Sequence, residues 1–140
     1  MTFQDILDTF AVLDDWEARY EFISELEGKL HPLLPHEQVD YNLVPGCNTR
    51  TWLTGSLIAT QPPRIDYRAD AETPLVRGLV ALLLTPFQDQ TPADVLAIDA
   101  MALLGQTGLD THLSPNRRAG MAHFIERVYQ IARELQSVTP

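Results

Sequence analysis

Residues 51–70 read TWLTGSLIATQPPRIDYRAD. Thr51, Trp52, Leu53, Leu57 and Ile58 have strand character, because β-branched and aromatic side chains suit a pleated, half-buried surface. Gly55 in their midst predicts a bulge or turn. Gln61-Pro62-Pro63 predicts a turn. Beyond it, Ile65, Tyr67 and Ala69 alternate with Asp66, Arg68 and Asp70. That period of two marks a strand with one buried and one solvated face. The stretch predicts an antiparallel hairpin or small sheet.

Helical signals lie on both sides. Thr2 caps a first helix with Phe3, Ile6, Leu7 and Phe10 on one face. A second starts near Asp14, where Glu17 completes a capping-box-like pattern. Its apolar stripe is Trp16, Tyr20, Ile23, Leu26 and Leu30, and Gly28 marks its end. The loop HPLLPH, residues 31–36, is irregular. After the hairpin, Thr73 caps and Pro74 takes the first helical position. Leu75, Val76, Leu79, Val80, Leu82 and Leu83 go nearly all round, which predicts a central buried helix. Thr91-Pro92 opens another helix in the same way, and Gly105 ends a short one that follows. Ser114-Pro115 starts the last, with Met121, Phe124, Ile125, Val128, Ala132 and Leu135 as its core stripe. The predicted fold class is α+β, a small antiparallel sheet packed against helices. With 140 residues, no internal repeat and no linker, the chain reads as a single domain over 1–140.

The net charge of −9 repels phosphate backbones and anionic lipids, so neither nucleic acid nor membrane is an expected partner. Much of the acid lies in residues 1–30, where eight carboxylates face Arg19 and Lys29; the plain reading is solvated helix faces. The start, MTFQDILDTF, has no basic region of a signal peptide, and the longest apolar run, Leu79 to Leu84, falls short of a membrane span. A cytoplasmic location is the expectation. His31, His36, His112 and His123 lack metal-ligand spacing, and no metal or other cofactor is expected.

The chain has one cysteine, Cys47, which excludes an intramolecular disulfide, a Cys-x-x-Cys redox pair and an all-cysteine metal site. It lies in NLVPGCNTRTW, residues 42–52. Pro45-Gly46 before it and Asn48 after it favour a turn, so Cys47 is expected on a loop at the sheet edge. A lone cysteine is commonly a small buried hydrophobe. Loops on a rigid scaffold, however, are where reactive groups are presented.

These residues resemble the sulfur-acceptor motif of the SufE family, the cysteine desulfurase activators that include the CsdE branch. Asn42, Val44, Gly46, Cys47 and Trp52 match its pattern. Tyr67-Arg68-Ala69-Asp70 with Val76-Arg77-Gly78-Leu79, then Thr91-Pro92, then Leu109 through Leu113-Ser114-Pro115-Asn116-Arg117 to Gly120, match in the same order. Asn48-Thr49 departs from the pair the family often carries after the cysteine, and Pro45 and Arg50 are further departures. The resemblance implies a fold related to SufE and IscU. It also implies a sulfur carrier: Cys47 accepts the terminal sulfur of a persulfide held by a pyridoxal-phosphate cysteine desulfurase of the SufS or CsdA kind. The carrier stimulates that enzyme and delivers sulfur for iron–sulfur cluster assembly or related transfer, a downstream scaffold being one acceptor. No independent turnover is expected, and the chain is expected to be a monomer or weak homodimer. Gly46 is the expected hinge. Arg50 is expected beside the thiol, where a cation favours the thiolate. Asp70 and Arg117 stand where the family has a matching acid and arginine, and are expected to pair around the loop.

Three rival readings compete. A cysteine hydrolase would use Cys47 with His112 or another histidine as base. An interaction module would leave Cys47 inert. An iron–sulfur scaffold needs about four good ligands, mostly cysteines, and fails on count.

Overall fold

The computed structural model describes residues 1–138. Among these, seven α-helices surround one antiparallel hairpin. The helices are α1 (Phe3–Val12), α2 (Trp16–Glu25), α3 (Pro74–Leu84), α4 (Pro92–Ala97), α5 (Ala100–Thr107), α6 (Leu109–His112) and α7 (Pro115–Ser137). The strands are β1 (Thr51–Ile58) and β2 (Arg64–Ala71). This is the α+β class expected.

Local chemistry explains most helix starts. Thr2 and Asp5 form a reciprocal capping box, each side chain accepting from the other's backbone N–H. Thr73, Thr91 and Ser114 each accept a first-turn N–H, and proline fills the next position of α3, α4 and α7. At α2 the cap is Asp15 rather than Asp14: its carboxylate accepts from the Ala18 N–H at 2.8 Å. Adjacent acids can both cap, and starting one residue later sets the Trp16 ring edge-on to Phe10 at 6.0 Å. Gly105 does not end α5, which runs on to Thr107. Gly108, at φ +77°, supplies the left-handed C-terminal turn instead.

A two-stranded sheet alone is marginal and exposes its edges. Here β2 is partnered along its outer edge, and β1 at the start of its own. On the outer side of β2, the Gln88 amide oxygen accepts from Tyr67 N–H at 2.7 Å and its nitrogen donates to Tyr67 C=O at 2.8 Å. Ile65 N–H donates to Gln90 C=O and Ala69 N–H to His31 C=O. On the outer side of β1, Leu43 bridges to Trp52 and Val44 N–H donates to Thr51 C=O at 2.8 Å.

The hairpin register sets Gly55 opposite Tyr67 with no bulge. Gly55 is small because α7 crosses there: a Cβ would lie 2.6 Å from Ile131 Cγ2. Ile65, Tyr67, Ala69 and Ala71 are buried against that helix and α3, as the alternation predicted. From Gly78 to Leu84 every residue of α3 is buried, which makes it the central helix. Arg77 fixes its start, donating to Glu27 Oε2 and to Ala71 C=O, both at 2.9 Å.

Tyr67 is fully buried, and its hydroxyl donates to Val128 C=O at 3.0 Å. Burial also holds its pKa far above the ordinary tyrosine value. Tyr67→Phe removes the hydroxyl and leaves the carbonyl with one partner fewer. The expected cost is about 1–2 kcal/mol of stability, measured by urea unfolding with an unchanged m-value.

Candidate functional site

Cys47 sits on the loop of residues 45–50, between Val44 and the first residue of β1. The loop is braced at its base by the Val44–Thr51 hydrogen bond and the Leu43–Trp52 bridge. Pro45-Gly46 makes the turn, with Gly46 at φ +81°, a conformation glycine adopts without strain. The turn sends the Cys47 side chain inward. The thiol is half-buried and donates to Gly120 C=O of α7 with a sulfur–oxygen distance of 3.6 Å.

Beneath it lies a cleft of about 260 Å³. Its floor is apolar: Val76, Leu79, Val80 and Leu83 from α3, Met121 and Phe124 from α7. Its rim is polar, formed by Asn48, Thr49, Thr51, Ser114, Asn116 and Arg117. The first turn of α7 borders this space, and the positive end of a helix favours an anion. Burial nevertheless raises the thiol pKa, with the Thr51 hydroxyl pulling weakly the other way.

The consequence for reactivity has a definite sign. The nucleophile is the thiolate, and burial disfavours it. Alkylation of native Cys47 by iodoacetamide is therefore expected to be slower at neutral pH than in the urea-unfolded chain. Its rate-versus-pH midpoint is expected above the ordinary thiol value of about 8.5. Superimposable native and unfolded profiles would contradict this.

Several expected placements change. Arg50 does not stand over the thiol. Its guanidinium lies 5.2 Å above the Trp52 ring, 3.9 Å from the Asp40 carboxylate, and its backbone N–H donates to Glu72. Cation–π attraction to the indole outcompetes a neutral thiol as a resting place. Asp70 and Arg117 do not pair. The Asp70 carboxylate accepts from Ala71 N–H at 2.8 Å, while Arg117 borders the cleft near enough to Tyr20 for its charge to act there. Asp70 has a backbone donor at hand, so it has no need of a distant cation. Among the described residues neither forms an ion pair.

His112, the base of the hydrolase reading, stacks on Trp16 at 4.1 Å and meets the Tyr20 hydroxyl at 2.8 Å, away from the cleft lining. Among the described residues no group of three or more His, Cys, Asp or Glu could hold a metal ion. Among them, too, no helix is long and apolar enough to cross a membrane. Sequence reasoning gave no role to two residues that touch the loop: Gly120, which accepts from the thiol, and His123, whose ring lies against Gly46. Their spacing of three on one helix face was the available signal.

A braced loop carrying one thiol over an apolar cleft, in a helical α+β frame, makes this a small single-cysteine protein. The chain belongs to the SufE family: residues 4–132 match the family's model, described as an Fe-S metabolism associated domain. An uncharacterized SufE-like protein of Rhizobium meliloti (strain 1021) is 36% identical over 125 residues, covering 88% of this chain and 89% of its own. A second, from Rhizobium etli, is 32% identical over 129 residues, covering 91% and 87%. The solution structure of a hypothetical protein from Thermus thermophilus shares the fold, with a TM-score of 0.76, 20% identity and coverage of 98% and 99%. Membership gives the chain a sulfur-transfer role, and the family's kind of partner is a cysteine desulfurase.

Proposed function

We propose that Cys47 is the sulfur acceptor, and that the chain carries sulfur as a Cys47 persulfide. The observation that carries this reading is the thiol itself, the chain's one cysteine, turned into an apolar cleft on a loop braced at its base. The donor is a persulfide on the cysteine of a pyridoxal-phosphate desulfurase. Cys47 loses its proton, and its thiolate attacks the outer sulfur. The Cys47 S–S bond forms as the donor's S–S bond breaks, and the bonding pair leaves with the donor thiolate. No outside oxidant or reductant enters.

The same exchange run onto another thiol hands the sulfur on, to iron–sulfur cluster assembly or a related transfer. Shelter suits this task, because a persulfide left in water is open to oxidation and reduction. Gly46 acts as the hinge of the loop, and Arg117 supplies a cation at the rim of the cleft that holds the carried sulfur. Asp70 holds the end of β2 through its bond to Ala71, and Arg50 braces the loop against Trp52. The protein has no turnover of its own and works in the cytoplasm as a monomer or weak homodimer.

The test is intact-mass measurement after incubation with a SufS- or CsdA-like desulfurase and cysteine. One added sulfur per chain, removed by a thiol reductant, is expected. A protein that stimulates the enzyme yet never gains sulfur would overturn the reading.

A further inference from the structure

His123 stands one helical turn after Gly120 on α7, so the two present to the same side. Gly120 C=O accepts from the Cys47 thiol. The His123 imidazole fills the space where any other residue at position 46 would put its Cβ: such an atom would lie 2.5 Å from Cδ2 and 2.6 Å from Nε2. Gly46 and Cys47 therefore rest on a two-point seat, the ring under the glycine and the carbonyl under the thiol. The ring is otherwise loosely held. His123 is exposed, and among the described residues it makes no hydrogen bond or ion pair. To swing away it must give up its contact with Gly46.

We propose that His123 is a positioning residue, the latch that keeps the Cys47 loop turned inward and that is vacated when the loop opens. This rests on the reading of Cys47 as the sulfur acceptor, but its test needs no desulfurase. Two ideas about position 46 separate cleanly. The positive φ penalises any side chain there whatever surrounds it. The steric conflict with the imidazole vanishes when the ring is removed.

The experiment follows iodoacetamide alkylation of Cys47 in the free, full-length protein, with thermal unfolding alongside. His123→Ala is expected to speed alkylation several-fold without lowering the melting temperature, since an exposed side chain contributes little to the core. His123→Phe refills the space under Gly46 and is expected to keep the slow rate. In a double-mutant cycle, Gly46→Ala is expected to destabilise the His123→Ala protein less than the wild type, because only the backbone strain is left. Wild-type alkylation in His123→Ala would overturn the latch, as would equal rates in the Ala and Phe variants or strict additivity in the cycle. Sulfur gain by intact mass on unalkylated portions of the same proteins, incubated with desulfurase and cysteine, keeps the two questions apart. A protein that accepts sulfur but fails these tests loses the latch alone, and one that passes them without accepting sulfur loses the carrier reading alone.

Discussion

Cys47→Ser is expected to take stimulation of the partner desulfurase to the enzyme's own basal rate and to abolish the added sulfur in the mass spectrum. The change swaps one atom on a half-buried side chain. The serine hydroxyl is smaller than the thiol and fits the same space, so the loop is expected to stay turned inward. What disappears is the nucleophile. A thiol keeps some thiolate near pH 7 even where burial lowers the fraction, whereas a hydroxyl is in effect never ionised. No second cysteine exists to take over. The melting temperature is expected to stay close to wild type, which separates lost chemistry from lost folding. The variant is also expected to compete with wild-type protein for the desulfurase, because the substitution leaves every other side chain in place. Stimulation by Cys47→Ser at the wild-type level would mean that activation does not pass through sulfur acceptance.

What could be read from the sequence was what local chemistry dictates. The caps at Thr2, Thr73, Thr91 and Ser114 depend on a side chain and the next few backbone N–H groups, and all four form. The alternation in Ile65 to Asp70 depends only on the pleat, and it gave both the strand and its buried face. The turn chemistry around Gly46 put Cys47 on a loop. The misses have distant causes. Gly55 looked like a bulge because its reason for being small, Ile131, lies on the last helix. Arg50 looked like a neighbour of the thiol because it is three residues away, yet the Trp52 ring draws it to the other side. Asp70 and Arg117 were paired by analogy of position, and a local N–H satisfied the acid first. The cleft itself was invisible, since its walls come from α3 and α7, brought together only by the fold. His123 carried no signal beyond its spacing from Gly120.

Gly78→Ala is expected to be the most damaging single-methyl substitution among the glycines, and Gly105→Ala the opposite. In an unconstrained helix interior, alanine is better than glycine by about 1 kcal/mol, because glycine loses more backbone freedom. Gly105 is such a site: it is exposed in α5, and a Cβ there would find nothing closer than Asp110 Oδ2 at 3.9 Å. Gly105→Ala is therefore expected to stabilise by roughly 0.5–1 kcal/mol. At Gly78 the same gain is overwhelmed. This residue lies buried where α3 crosses α2, and a Cβ would sit 1.9 Å from Ile23 C=O oxygen and 2.6 Å from its carbon. Those are backbone atoms of a packed helix, so no side chain can turn aside to make room. The two helices must separate, opening space around Ile23, which is fully buried, and loosening the helix that lines the Cys47 cleft. Overpacking costs about 1–3 kcal/mol, and a clash with backbone atoms places this one near the upper end, at about 3 kcal/mol. For a domain of this size that lowers the melting temperature by roughly 10 °C. Because the displaced helix carries Val76, Leu79 and Val80, alkylation of Cys47 is expected to quicken as stability falls. Calorimetry on both variants checks the opposed signs, and a Gly78→Ala protein as stable as wild type would mean that α2 and α3 do not meet at this glycine.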